Sequence, residues 1–168
     1  MSRLLEGDVG SGKTAVASTA CFAVVSTPPP QREFGNLQVA YMAPTEILAE
    51  QHFESFIQYF KKYKIPIGLI TGSGAKKFPS KANRELWTKI SKPQLLKWIA
   101  NGEIPILIGT HALIQKSVKF KNLALIVIDE QHKFGVKQRK MLRNRSIINE
   151  KNTPEITPHL LSMTATPI

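Results

Sequence analysis

A chain of 168 residues has room for one domain rather than two. Hydrophobic residues make up 42% and charged residues 21%, which excludes a disordered chain, a collagen-like repeat and a disulfide scaffold; no apolar run approaches the roughly 20 residues of a membrane helix, and the N-terminus lacks a signal-peptide core. Lys and Arg outnumber Asp and Glu by 23 to 12, and the net charge of +11 suits either a polyanionic partner such as nucleic acid or a generally basic soluble protein.

The first element is a stub strand at Leu4-Leu5, followed by a glycine-rich turn and a helix over 13–25 that stops before Pro28-Pro29-Pro30. Residues 26–37 read as a surface insertion. A strand over 39–43 leads to a helix over 46–63, with Ala49, Phe53, Phe56, Ile57 and Phe60 on one face. After a strand over 67–70, the lysine-bearing stretch 73–90 reads as a second surface insertion. A helix over 93–101 has Ser91 near its cap, Pro93 in its first turn and Gly102 just past its end. Strands over 104–108 and 123–128 are continuously apolar apart from Pro105, which belongs at a strand start because it cannot donate to a ladder. Residues 144–158 read as a loop, and 160–163 as the last strand. Continuous apolar strands separated by helices specify a parallel sheet buried on both faces, hence an α/β layer fold.

The turn Gly7-Asp8-Val9-Gly10-Ser11-Gly12-Lys13-Thr14 fits G-x-x-x-x-G-K-[ST] without a mismatch, between a strand and a helix. Glycines let a phosphate chain approach the backbone, and the helix start offers free N–H groups and a positive dipole end. On this reading Gly7, Gly10, Ser11, Gly12, Lys13 and Thr14 bind ATP. Lys13 reaches the β and γ phosphates, and the Thr14 hydroxyl ligates Mg²⁺. The competing reading is a glycine-rich turn at a helix start, but chance would supply this pattern in roughly one chain per hundred.

The strand over 123–128 runs straight into Asp129-Glu130. Two carboxylates ending a buried strand are costly unless they act or reach solvent. Beside a phosphate loop, Asp129 would hold Mg²⁺ through water and Glu130 would activate the attacking water as general base; strand-terminating acids in a solvated turn are the alternative. Every other strand also ends in a small or polar cluster: Ala43-Pro44-Thr45, Thr71-Gly72, Gly109-Thr110-His111 and Thr164-Ala165-Thr166. In a parallel sheet all of these open on one rim, where α/β sheets bind ligands. Hydroxyls and glycine N–H groups there suit a phosphodiester backbone, although each cluster alone is ordinary turn chemistry.

Taken together, these strings resemble the first RecA-like domain of a superfamily 2 helicase. GDVGSGKT resembles motif I, Ala43-Pro44-Thr45-Glu46 motif Ia, Thr71-Gly72 motif Ib and Gly109-Thr110-His111 motif Ic; Asp129-Glu130-Gln131-His132 resembles motif II and Thr164-Ala165-Thr166 motif III. The longer strings APTEILAEQH, GTHALIQ, IDEQHKFGVKQR and MTATPI resemble the bacterial branch that works on branched DNA. The resemblance implies a RecA-like P-loop NTPase fold, a mostly parallel sheet flanked by helices on both faces. It implies an ATP-dependent DNA helicase, cytoplasmic and monomeric, that uses ATP and Mg²⁺ to remodel stalled forks and Holliday junctions in recombination and repair. Lys13, Asp129 and Glu130 would be catalytic, with Thr14 and Asp129 at the metal. Gln131, His132, Thr164 and Thr166 would couple nucleotide state to domain closure, and Pro44, Thr45, Thr71, Gly72, Gly109 and Thr110 would touch DNA. Residues 1–168 would be the ATP-binding domain, incomplete at both ends. The wedge domain and the second RecA-like domain, which supplies the arginine finger, would be its partners in the longer chain, and without them the segment would not unwind DNA. A nucleotide-regulated P-loop binding module and a non-catalytic DNA-binding remnant are the alternatives.

Smaller signals stay open at this level. Lys133, Lys137, Arg139, Lys140, Arg143 and Arg145 form a DNA-facing patch, a solvated basic helix or a surface for a missing domain. Trp98 reads as core, and Trp87 as a packed or base-stacking residue. His52 reads as a helix-surface residue, His111 as a DNA contact or a turn residue, and Cys21 as buried and inert.

Overall fold

The apolar runs assemble into one eight-stranded sheet in a computed structural model that describes residues 1–29, 36–130, 134–143 and 157–165. The strands are β1 (Ser2–Glu6), β2 (Gln38–Met42), β3 (Ile67–Thr71), β4 (Gly74–Phe78), β5 (Thr88–Ile90), β6 (Ile106–Gly109), β7 (Leu123–Ile128) and β8 (His159–Thr164). Their spatial order is β1-β8-β7-β2-β6-β3-β4-β5. All pairings from β1 across to β3 are parallel; β4 and β5 add antiparallel at the far edge.

Helices α1 (Lys13–Val25) and α2 (Glu46–Phe60) cover one face, and α3 (Lys92–Ala100) and α4 (Val136–Arg143) the other. Period-2 alternation splits each continuous apolar strand between them. Val39, Tyr41, Leu125 and Val127 pack under Ala17, Cys21, Phe53 and Phe56. Ala40, Met42, Ile126 and Ile128 pack under Leu95, Ile99, Leu113 and Leu142. Each fully buried large side chain contributes about 1.5–3 kcal/mol. Burial also pushes the Cys21 thiol up to about 12, so it stays protonated and unreactive.

Two expectations need correction. The helix predicted over 46–63 ends at Phe60 and tightens into a 3₁₀ turn, Lys61–Tyr63, closed by Lys64 at φ 56°. The stretch 73–90 is not a loose insertion: Thr71 pairs with Gly74, and the chain returns as two added strands. The lysines hid this, because a half-covered strand one in from the edge needs only a few apolar anchors. Ala75 enters one core and Phe78 the other, while Lys76 and Lys77 stay half-buried. Lys76 Nζ bonds Glu50 Oε2 at 2.7 Å and lies 4.1 Å from the Trp87 ring centre. Trp87 packs against the first core and donates to Glu54 Oε1 at 2.9 Å. Trp98 packs against the second core. The basic stretch forms α4, which buries Leu142; most of the loop expected over 144–158 lies outside the described residues, as do 30–35. Among the described residues no helix is long and apolar enough to cross a membrane.

Candidate nucleotide site at the strand-end rim

Six strands point the same way, so their carboxyl ends share one rim. The register is level there. Met42 pairs with both Gly109 and Ile128, and Ile70 with Gly109. The first residues beyond the strands continue the ladder: Ala43 N–H donates to Gly109 O at 2.8 Å, and Asp129 N–H to Met42 O at 2.9 Å. At the β1 end, Gly7 N–H donates to Thr164 O at 3.3 Å. The phosphate loop and the expected coupling residue Thr164, which is buried, are therefore joined through the backbone.

The loop geometry requires its glycines. Gly10 and Gly12 sit at φ 80° and 86°, and a Cβ on Gly7 would lie 2.5 Å from Ser11 Oγ. Gly12 caps α1 with no side-chain hydrogen bond, and the first turn holds no acid. The N–H groups and positive dipole of that turn are thus left for an external anion. Lys13 Nζ folds over the same concavity, donating to Gly7 O and, at 2.8 Å, to Asp8 O. Two of its three donors are used by the loop itself.

On the central strands the fully buried Tyr41 lies near both Thr14 and Asp129. Its phenol has no well-formed hydrogen bond among the described residues, and the polar groups acting on it include the Asp129 carboxylate and the Thr14 hydroxyl. Burial first, and Asp129 next, push this phenol far above its ordinary value; Thr14 pulls the other way. Asp129 and Thr14 therefore both lie near one hydroxyl. The donor set suits a hard cation carried by phosphates: one carboxylate and one hydroxyl, with the remaining positions open to phosphate and water. Among the described residues no cluster of three or more His, Cys, Asp and Glu could hold a metal by itself. Glu130, the next residue, is held at φ 55°, a left-handed conformation that costs a non-glycine residue about 1 kcal/mol or more.

His52 corrects the sequence reading. It is buried, not on the helix surface, and its Nε2 lies 2.8 Å from Asp129 Oδ2. Its ring packs tilted against Tyr41 with centres 4.8 Å apart. The signal was present in the sequence: 49, 52, 53, 56, 57 and 60 form one helical stripe, and a polar residue inside it needs a partner.

Along the rest of the rim, Thr45 caps α2 by accepting from Leu48 N–H at 3.2 Å. Thr45 and Gly72 are exposed and Pro44 is half-buried, whereas Thr71, Gly109 and Thr110 are buried. Glu46 accepts from the amide and hydroxyl of Ser73, which hold its carboxyl below the usual carboxylate range. Lys92 Nζ donates to Gly72 O at 3.0 Å. His111 is exposed and packs against the Phe134 ring, 5.2 Å between centres. Gln131, His132, Lys133 and Thr166 lie outside the described residues.

A phosphate loop and a strand-end acid pair, opening on one rim of a parallel sheet, are the features of a P-loop motor domain. The family model for DEAD/DEAH box helicases matches residues 2–168, and the chain belongs to that family. It is 46% identical over all its residues to the ATP-dependent DNA helicase RecG of Bacillus subtilis, 47% to that of Streptococcus pneumoniae and 44% to that of Aquifex aeolicus. It spans 20%, 20% and 18% of those proteins, about a fifth of the curated relatives it matches. Among solved structures, RecG bound to a three-way DNA junction superposes with a TM-score of 0.65 at 36% identity, covering 99% of this chain and 18% of that one. Yeast Dbp5, bound to Nup159, Gle1, IP6 and ADP, superposes at 0.62 with 19% identity over 99% of this chain and 38% of that one, a likeness of fold alone. The RecA-like expectation is borne out by both superpositions.

Proposed function

We propose that this chain is the ATP-binding half of a DNA translocase that remodels branched DNA, such as stalled forks and Holliday junctions, in recombination and repair. The observation that carries the reading is the nearness of Thr14, at the end of the glycine loop, and Asp129 to the same buried Tyr41 phenol. The junction-bound state of the RecG structure supports the DNA class, as do the net charge of +11 and the row of hydroxyl and amide groups on the rim.

The residues take the following roles. Gly7, Gly10, Ser11 and Gly12 present the backbone that cradles phosphates, and Lys13 leaves its carbonyl partners to neutralise the β and γ oxygens. Thr14 and Asp129 hold Mg²⁺, which supplies charge screening and polarisation of the phosphoryl group. Glu130 orients and deprotonates the attacking water. Thr164, bonded through its carbonyl to Gly7, stands where a change in the loop reaches β8, with Gln131, His132 and Thr166 as its partners in coupling. Pro44, Thr45 and Gly72 meet the DNA backbone at the surface; Thr71, Gly109 and Thr110, buried here, contribute through their main chain.

A Mg²⁺-dependent titration with a fluorescent ADP analogue tests the site. Wild type should bind, and Lys13→Ala should weaken binding at least 10-fold, since charge-assisted hydrogen bonds contribute about 1.5–3 kcal/mol each. Equal affinities for the two proteins would dismiss the phosphate-site reading.

A further inference from the structure

We propose that His52 is a positioning residue for Asp129, fixing the carboxylate at the metal site from the helix α2 side. The inference deepens the reading of the rim as an ATP–Mg²⁺ site and rests on it. A carboxylate only accepts, so the 2.8 Å contact requires His52 Nε2 to carry the proton and donate to Oδ2. This bond occupies one carboxylate oxygen and leaves the other for the ion and its water shell. The side chains are 10% and 13% exposed, so little water competes for the bond. His52 is itself held: its ring lies against Tyr41, whose ring meets Phe56 edge-on at 5.2 Å. Helix α2 is anchored at its start by the Thr45 cap. Without the donor, the Asp129 side chain would be free to sample the other staggered rotamers of a residue just past a strand end.

Outer partners of ligating groups typically tune metal affinity by about 10- to 100-fold. The test measures the Mg²⁺ concentration that half-maximally tightens binding of a fluorescent ADP analogue, alongside affinity in EDTA and thermal unfolding by circular dichroism. His52→Leu keeps the bulk and removes the donor; His52→Gln keeps a donor at similar reach. His52→Asn, whose amide is too short to reach, serves if the leucine variant does not fold. The expected result is a rise of about 10-fold or more in the Mg²⁺ midpoint for the folded Leu or Asn variant, unchanged affinity in EDTA, and recovery in the Gln variant. A folded Leu or Asn variant with the wild-type midpoint would overturn the role. So would an equal loss in EDTA and in Mg²⁺, or a folded Gln variant that recovers nothing. Failure of the wild type itself to respond to Mg²⁺ would instead sink the underlying site assignment, and this proposal with it.

Discussion

Glu130→Gln should lower ATP turnover by about 10²- to 10⁴-fold while leaving nucleotide affinity nearly unchanged, the effect expected for loss of a general base. The measurement belongs in a protein that joins this segment to a second RecA-like domain. On the proposed reading the segment alone should turn over ATP negligibly, because an arginine finger, worth about 10³–10⁵ in phosphoryl transfer, would come from that second domain. Glutamine keeps the shape and hydrogen-bonding reach of the side chain and removes only its ability to take a proton. Binding should survive, since the proposed phosphate contacts fall to the loop and to Lys13, which folds over it, and not to Glu130. The left-handed backbone at Glu130 strengthens the expectation: a conformation unfavourable for a β-carbon is maintained where the central strand delivers its second acid to the rim. A fall in affinity as large as the fall in turnover would make Glu130 a binding residue instead.

Gly109→Ala should destabilise the fold by about 1–3 kcal/mol, and Gly109→Val by more. A Cβ at this position would meet the Ile70 carbonyl oxygen at 2.5 Å, Ile70 Cγ2 at 2.9 Å and Leu113 Cγ at 3.0 Å. The first contact is backbone in the paired strand β3, so it cannot yield without disturbing the ladder between Ile70 and Gly109. Gly135→Ala, where nothing among the described residues lies within 4 Å, is the control and should cost clearly less. In thermal unfolding each kcal/mol corresponds to about 2–4 °C for a domain of this size. Equal melting temperatures for the two alanine variants would show that the strand edge relaxes more readily than the packing implies. The point matters for function, because a glycine proposed to contact DNA also has a purely internal reason to be glycine. Any loss of DNA binding in Gly109 variants is interpretable only beside their stability.

Local pattern carried much of the molecule into view. Helix α1 and strand β7 start and end where the sequence places them, since a glycine-rich turn, a proline run and an uninterrupted apolar stretch are strong local signals. Residue pattern also picked out the glycine loop and the two acids, which the parallel strands bring to one rim. It could not supply the spatial order of the strands, which is set by long-range pairing. Nor did it expose β4 and β5, where two anchors, Ala75 and Phe78, hold a strand otherwise written in lysines. His52 was missed for a different reason. Its partner is 77 residues away, and only the stripe it shares with Ala49, Phe53 and Phe56 signalled that it points inward.

A crystal structure of this chain with a non-hydrolysable ATP analogue and Mg²⁺ tests the central claim most directly. The account predicts one ion at about 2.0–2.1 Å from Thr14 Oγ1, with the Asp129 carboxylate on the ion or on one of its waters. An ion and nucleotide bound away from both residues, with Lys13 still folded onto Gly7 and Asp8, would contradict it.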